Sequence, residues 1–93
     1  MILMIRYYIV VEGRVQGVGF RFFTINIASK YNLTGSVRNM DNGMVEIEVQ
    51  GEKDNIHKFI SEIKEGNYFI RVDNISIKTI DLKPEEKSFQ LKY

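Results

Sequence analysis

The clearest secondary-structure signal in the chain is the stretch "GSVRNMDNGMVEIEVQG", Gly35 to Gly51, which holds two strand-like runs on either side of a turn. Asn42-Gly43 tolerates the positive φ angles of a type I′ turn, the usual link of a tight hairpin. After the turn the chain alternates: Val45, Ile47 and Val49 are apolar, and Glu46, Glu48 and Gln50 are polar. We therefore predict an antiparallel hairpin with one face on a core and the other in water.

Upstream of this hairpin, the run "MIRYYIVVE" from Met4 to Glu12 is rich in β-branched and aromatic residues. It is too uniformly apolar for a one-sided surface strand, so we predict a strand in the interior of a sheet. The next pattern predicts a helix that ends near Asn32. Its apolar residues, at spacings of three and four, are Phe20, Phe23, Ile27 and Tyr31.

Downstream of the hairpin, a second amphipathic helix is predicted between Asp54, a candidate N-cap, and Gly66, which can close the helix in the left-handed conformation. Its apolar stripe consists of Ile56, Phe59, Ile60 and Ile63. The segments "VDNISIKTIDL" and "SFQLKY" then predict strands on either side of a turn around Pro84.

The predicted order of elements is therefore βαββαβ with an added short strand. This order is typical of an α+β, ferredoxin-like sandwich, in which an antiparallel sheet carries two helices on one face, here with an extra short C-terminal strand. We expect residues 1–93 to form a single domain. In this topology the first two strands end at the same edge of the sheet, which brings residues 13–20 close to Asn39.

Composition narrows the possible functions. Thirteen basic and twelve acidic residues give a net charge of +1, so no global field attracts nucleic acid or membrane. With no cysteine and only His57, the chain has no disulfide framework and poor provision for a metal site. The apolar start lacks a basic leader and reaches Arg6 too early to span a bilayer. We expect a cytoplasmic monomer without metal or cofactor, and assign His57 no role.

A glycine-rich corner, "VEGRVQGVGFRFF" from Val11 to Phe23, separates the first strand from the first helix. Such a turn exposes backbone N–H groups at a helix start and can bind an anion, and the guanidinium of Arg21 is close enough to assist. The corner matches neither a P-loop nor a dinucleotide fingerprint. These residues alone favour a tight turn flanked by solvated arginines over an anion site.

The stretch "GRVQGVGFR", Gly13 to Arg21, resembles the first signature of acylphosphatases, and "GSVRNMDNGMVE", Gly35 to Glu46, resembles the second. Both occur in the right order and at the right separation. The similarity extends to the helix "DNIHKFISEIKEG", to "RVDNI" and to the closing "FQLKY". It therefore covers nearly the whole chain.

The resemblance implies metal-independent hydrolysis of small-molecule acyl phosphates to a carboxylate and inorganic phosphate. It implies that Arg21 binds the phosphoryl group and that Asn39 orients the attacking water. It also implies that backbone amides of the corner bind the phosphate, namely those of Val15, Gln16, Gly17, Val18, Gly19 and Phe20. We further expect the carboxylate of Tyr93 to pair with Arg21 if the last strand lies beside the corner.

Two other functions stay open. One is an RNA-binding module that stacks bases on aromatic residues, although the basic-aromatic strand motif of such modules is absent. The aromatic residues available for it are Tyr7, Tyr8, Phe20, Phe22, Phe23 and Tyr31. The other is a phosphate sensor that keeps the binding corner but does not turn over a substrate.

Overall fold

The computed structural model describes residues 2–93, so only the first position of the predicted 1–93 domain lies outside it. This part of the chain forms five strands and two helices. In chain order they are β1 (Met4–Arg14), α1 (Phe20–Lys30), β2 (Thr34–Asn39), β3 (Val45–Glu52), α2 (Lys53–Glu65), β4 (Arg71–Thr79) and β5 (Phe89–Lys92).

The strands form one sheet in the order β4-β1-β3-β2-β5. β1 pairs antiparallel with both β3 and β4, and β2 pairs antiparallel with β3. The predicted βαββαβ order, the ferredoxin-like class and the interior position of β1 are confirmed. The added strand β5 pairs parallel to β2, which makes the sheet mixed instead of purely antiparallel.

The core lies between the sheet and the two helices. Because side chains alternate along a strand, every second residue of the interior strands points toward the helices. The buried residues from the strands are Ile9, Val11, Val37, Val45, Ile47 and Val49, and those from the helices include Phe20, Ile27, Ile56, Phe59, Ile60 and Ile63. The predicted apolar faces of the hairpin and of α2 are therefore confirmed.

The turn of the hairpin differs from the predicted type I′ turn. The N–H of Gly43 donates to the carbonyl of Met40 at 3.2 Å, and the N–H of Met40 donates to the carbonyl of Met44 at 2.8 Å. Gly43 has a φ of 91°, whereas Asn42 is not among the residues with positive φ. This is the geometry of a three-residue loop closed by a left-handed glycine, which Asn-Gly accommodates equally well.

The ends of α2 also differ from their prediction. The N-cap is Glu52, which has an extended conformation and makes no side-chain capping bond. Asp54 lies in the first turn instead, where a negative charge still favours the helix dipole. Gly66 ends the helix with a positive φ of 62°, but its ψ of −148° is not that of a left-handed helical residue.

The polar face of the hairpin is not left to solvent, contrary to prediction. Residues 80–88, which join β4 to β5, cross this face and are held by Arg6, whose side chain is 1% exposed. Arg6 donates to Glu86 at 2.7 Å and to Glu48 at 2.9 Å. The side-chain amide of Gln50 donates to the backbone carbonyl of Lys83 at 2.9 Å and accepts from the backbone N–H of Lys83 at 2.7 Å. The sequence pattern gave no sign of this long-range contact.

The Arg6 cluster makes stability dependent on pH. Hydrogen bonding to Arg6 lowers the pKa of Glu48. Burial by itself would raise the pKa of Glu86, but hydrogen bonds to Arg6 and Thr34, together with the charges of Arg6 and Lys83, outweigh burial and lower that pKa. Because both pKa values are lowered on folding, the stabilisation is complete above pH 4.5 and is lost as the pH falls through the lowered values. We expect Glu86→Gln to cost about 1–3 kcal/mol at pH 7 and much less at pH 3, measured by urea unfolding.

The exposed neighbour Glu85 provides the matched control, since Glu85→Gln makes the same chemical change outside the cluster. A Glu86→Gln protein that is as stable as its parent at pH 7 would contradict this account of the cluster.

Candidate functional site

Residues 15–19 link β1 to α1 in a loop whose main chain is largely free of internal hydrogen bonds. Within residues 2–93, none of the N–H groups of this loop donates to another protein group. Gly17 and Gly19 have φ angles of 73° and 79°, a left-handed conformation that would cost another residue about 1 kcal/mol or more. The glycines thus let successive N–H groups turn in a tight curve.

The start of α1 adds further free donors. Its N-cap is Gly19, which supplies no side-chain capping bond, and its first turn contains no acidic residue. The N–H of Phe23 donates to the carbonyl of Gly19 at 3.0 Å and begins the helical ladder. The preceding N–H groups of the helix therefore have no partner in the ladder, and they carry the positive end of the helix dipole, about half a unit charge.

Asn39, at the end of β2, lies close to the loop that follows β1. The reason is that β1 and β2 both pair with β3 and meet the same residue of it. Val45 of β3 faces Val11 on one side and Asn39 on the other. Asn39 shares the strand face of the buried Val37, so its side chain is directed to the helix side of the sheet. Its Oδ1 is buried, and no described residue donates a hydrogen bond to it.

These groups meet in one small cavity of about 140 Å³. The residues that line it are Val15, Gly17, Gly19, Phe20, Arg21, Phe22 and Asn39. Of the predicted site residues, only Gln16 and Val18 are not part of the lining. The expected proximity of the glycine corner and Asn39 is thus found. Phe22 was considered only for base stacking and was not predicted to be part of the anion site.

Arg21 forms no ion pair with any described residue. Its guanidinium carbon lies 5.3 Å from the centre of the Tyr93 ring. The expected contact with Tyr93 thus involves the aromatic ring and not the carboxylate. The ring leaves the donors of Arg21 uncompensated by an acid, so they are available to an anion.

Gln16 ties the loop to the hairpin through its side chain. Its Nε2 donates to the carbonyl of Met40 and to that of Met44, each at 2.8 Å. Both protons of the amide are therefore directed to the base of the hairpin, immediately after Asn39. Only the backbone N–H of Gln16 was predicted to act at the site, and no pattern in the sequence reveals the side-chain contact.

The cavity contains no obvious proton donor or acceptor for catalysis. Among its lining residues, none is Asp, Glu, His, Lys or Tyr. His57 is exposed on α2 and is not part of the lining. Residues 2–93 contain no group of three or more His, Asp or Glu side chains placed to hold a metal ion.

Two larger surface grooves, of about 400 and 420 Å³, do not combine arginine with free loop amides. The chemistry of the lining, and not the volume, therefore identifies the smaller cavity as the candidate site. None of the helices formed by residues 2–93 has the length and apolarity needed to cross a bilayer.

The aromatic residues considered for base stacking are not collected on one exposed surface. Phe20 is 1% exposed, and its ring centre lies 6.1 Å from that of Phe23, which packs against the same core. On the opposite sheet face, the neighbours of Tyr8 include Glu46 and Glu48. Burial and negative charge both work against stacking of a nucleic acid base.

Taken together, the fold and cavity define a small ferredoxin-like domain with a candidate anion site. A family model described as Acylphosphatase matches residues 7–91. The chain is 48% identical to the acylphosphatase of Clostridium acetobutylicum over 91 residues, covering 98% of this chain and 100% of that relative. It is 51% identical to that of Clostridium beijerinckii over 90 residues, covering 97% and 100%.

Solved structures agree with these sequence matches. The crystal structure of acylphosphatase from Bacillus subtilis has a TM-score of 0.90 and 37% identity to this chain, and the match covers 98% of this chain and 100% of that one. The chain belongs to the acylphosphatase family.

Proposed function

We propose that this protein is an acylphosphatase that hydrolyses the carboxyl-phosphate bond of small acyl phosphates without a metal ion. Arg21 and the loop amides bind the phosphoryl group, and Asn39 orients the attacking water. The observation that carries the proposal is that an unpaired arginine, free amides and an unpartnered amide oxygen line one cavity. We also propose that the protein acts as a cytoplasmic monomer.

Binding of the phosphoryl group relies on donors that are already in place. The guanidinium of Arg21 has a planar fork of N–H groups that fits two phosphoryl oxygens at once. The N–H groups of the loop and of the first turn of α1 supply further hydrogen bonds and a positive potential. A loose phosphoryl-transfer transition state spreads charge over its equatorial oxygens, so these donors stabilise the transition state directly.

Asn39 supplies what the nucleophile needs, which is an acceptor. A water that donates one O–H to Oδ1 keeps a lone pair free to attack phosphorus, and the bond polarises its oxygen. A new P–O bond forms to this water while the P–O bond to the carboxylate breaks. The proton that the water loses goes to a phosphoryl oxygen. The products are then a carboxylate and inorganic phosphate.

The lack of a general acid fits the leaving group. An alkyl phosphate would release an alkoxide, which needs a proton or a metal ion to leave. An acyl phosphate releases a carboxylate whose conjugate acid has a pKa of roughly 4, so it leaves unassisted at neutral pH. Positioning and charge stabilisation are then sufficient for catalysis.

The direct test is release of phosphate from acetyl phosphate with a chelator present, alongside a nucleic acid titration at two salt concentrations. Phosphate release above the uncatalysed rate supports the proposal. Phosphate binding without turnover would identify a sensor instead. Salt-sensitive binding of RNA without phosphate release would identify a nucleic-acid module.

Gln16 offers a test of how the loop is positioned. Gln16→Leu keeps the approximate size of the side chain but removes both hydrogen bonds to the hairpin, so the loop and Asn39 lose their fixed separation. We expect kcat/KM for acetyl phosphate to fall about tenfold, because small misplacement of catalytic groups reduces rate strongly. The matched control is Gln90→Leu on the exposed edge of β5, which should leave kcat/KM unchanged. Equal effects of the two substitutions would contradict the positioning role.

A further inference from the structure

If the proposed function is correct, the cavity is too small to enclose a substrate with a long acyl chain. Its volume is about 140 Å³, whereas pockets that enclose a drug-sized ligand measure about 300–1,000 Å³. Arg21 and the loop amides occupy its polar side and would take the phosphoryl group. An acyl chain of more than a few carbons must therefore extend outward over the rim of the cavity.

The rim carries an aromatic side chain that the fold does not use. Phe22 lines the cavity and is 66% exposed. Its neighbours Phe20 and Phe23 point to the core side of α1 and pack there. Phe22 is the third residue of α1 and follows Arg21 directly, so its ring lies at the edge of the cavity next to the guanidinium proposed to bind the phosphoryl group.

A second ring borders the same guanidinium. The Tyr93 ring lies 5.3 Å from the guanidinium carbon of Arg21 and is 95% exposed. The outer side of Arg21 is thus flanked by aromatic surface that is open to solvent. No lining residue of the cavity is acidic, so nothing in the lining favours a cationic acyl group.

We propose that Phe22, assisted by Tyr93, forms an acyl-group subsite that favours acyl phosphates with apolar acyl groups. This inference rests on the proposed hydrolase function and adds a substrate preference to it. An apolar chain that covers the exposed ring removes apolar surface of both partners from water, which strengthens binding. A two-carbon acyl group is too short to cover the ring to the same extent.

The test compares hexanoyl phosphate with acetyl phosphate, whose leaving carboxylates are both simple alkanoates and differ in four methylene groups. We expect wild-type protein to favour hexanoyl phosphate in kcat/KM by about tenfold, mainly through KM, because the extra methylenes are only partly buried on the rim. Phe22→Ala should reduce this ratio to about one, and Phe22→Leu should retain part of it. Any difference in intrinsic reactivity between the two substrates cancels when the ratio of their kcat/KM values is compared between variants.

The matched control is Phe69→Ala, because Phe69 is 61% exposed and does not line the cavity. Its substrate ratio should equal that of the wild type. A ratio that is unchanged in Phe22→Ala, or that falls equally in Phe69→Ala, overturns the subsite while leaving the hydrolase function intact. If wild-type protein releases phosphate from neither substrate, both proposals are overturned.

Discussion

Replacing Arg21 by alanine is expected to lower kcat for acetyl phosphate by about two to three orders of magnitude and to weaken binding of inorganic phosphate strongly. The reason is that, among residues 2–93, Arg21 is the only charged residue that lines the cavity, so its loss removes charge stabilisation from both the bound anion and the transition state. Steady-state kinetics, with phosphate affinity taken from product inhibition, measure both effects.

The appropriate control is Arg38→Ala, which removes the same charge a short distance along the chain. Arg38 immediately precedes Asn39 but lies on the opposite face of the sheet, where it pairs with Glu46. Its replacement should leave kcat within a factor of about two, because the side chain of Arg38 is 43% exposed and lies outside the cavity, and solvent screens its field. Near-normal turnover of Arg21→Ala would refute the role assigned to Arg21.

Replacing Asn39 by alanine is expected to separate turnover from binding. The buried Oδ1 that no described residue satisfies would disappear, so the attacking water loses its acceptor. We expect kcat to fall about a hundredfold, a loss typical of removing one well-placed polar group from a site, while affinity for inorganic phosphate changes little. Kinetics with acetyl phosphate and calorimetric titration with phosphate provide the two readings.

Asn42→Ala is the matched control for Asn39. Asn42 lies in the turn of the same hairpin, and its Oδ1 accepts from the N–H of Met44 at 3.0 Å, outside the cavity. Its loss should lower stability slightly and leave kcat unchanged. If phosphate affinity of Asn39→Ala collapses together with kcat, Asn39 maintains the structure of the site and does not orient the water.

Local patterns were sufficient to predict most of the fold. The alternation of Val45, Ile47 and Val49 gave the face of β3 that packs on the helices, because a strand has only two faces. The helical spacing gave both helices. The predicted turn type at Asn42-Gly43 was wrong. The same dipeptide suits loops of two and of three residues, and the register of the two strands decides which loop forms.

Contacts between distant parts of the chain could not be predicted from these patterns. Arg6 was considered only as an interruption in an apolar run. In the structure it is buried beneath residues 80–88 and bonded to the carboxylates of Glu48 and Glu86, both more than forty positions away. The parallel pairing of β5 with β2 likewise depends on the path of that connection. No local rule specifies which distant partner a buried charge will find.

The candidate site was predicted from the family resemblance more than from residue chemistry. The glycine corner and Arg21 alone favoured an ordinary turn, and Asn39 was singled out by the resemblance of the second motif to the family signature. The structure brings both into one cavity, but the catalytic roles of Arg21 and Asn39 stay predictions. Phe22 and the side chain of Gln16 could not be found this way, because their importance depends on what lies across from them in space.

The unpaired N–H groups of residues 15–19 have a consequence for how the protein tolerates mutation. A donor that belongs to the main chain is present whatever the side chain, so drift at Val15 or Val18 can alter packing without deleting a ligand for the anion. Proline is the exception, because it lacks the N–H. Conservative replacements should therefore be tolerated at Val15 and Val18 under selection for activity, whereas proline in the loop and replacement of Gly17, Gly19 or Arg21 should be purged.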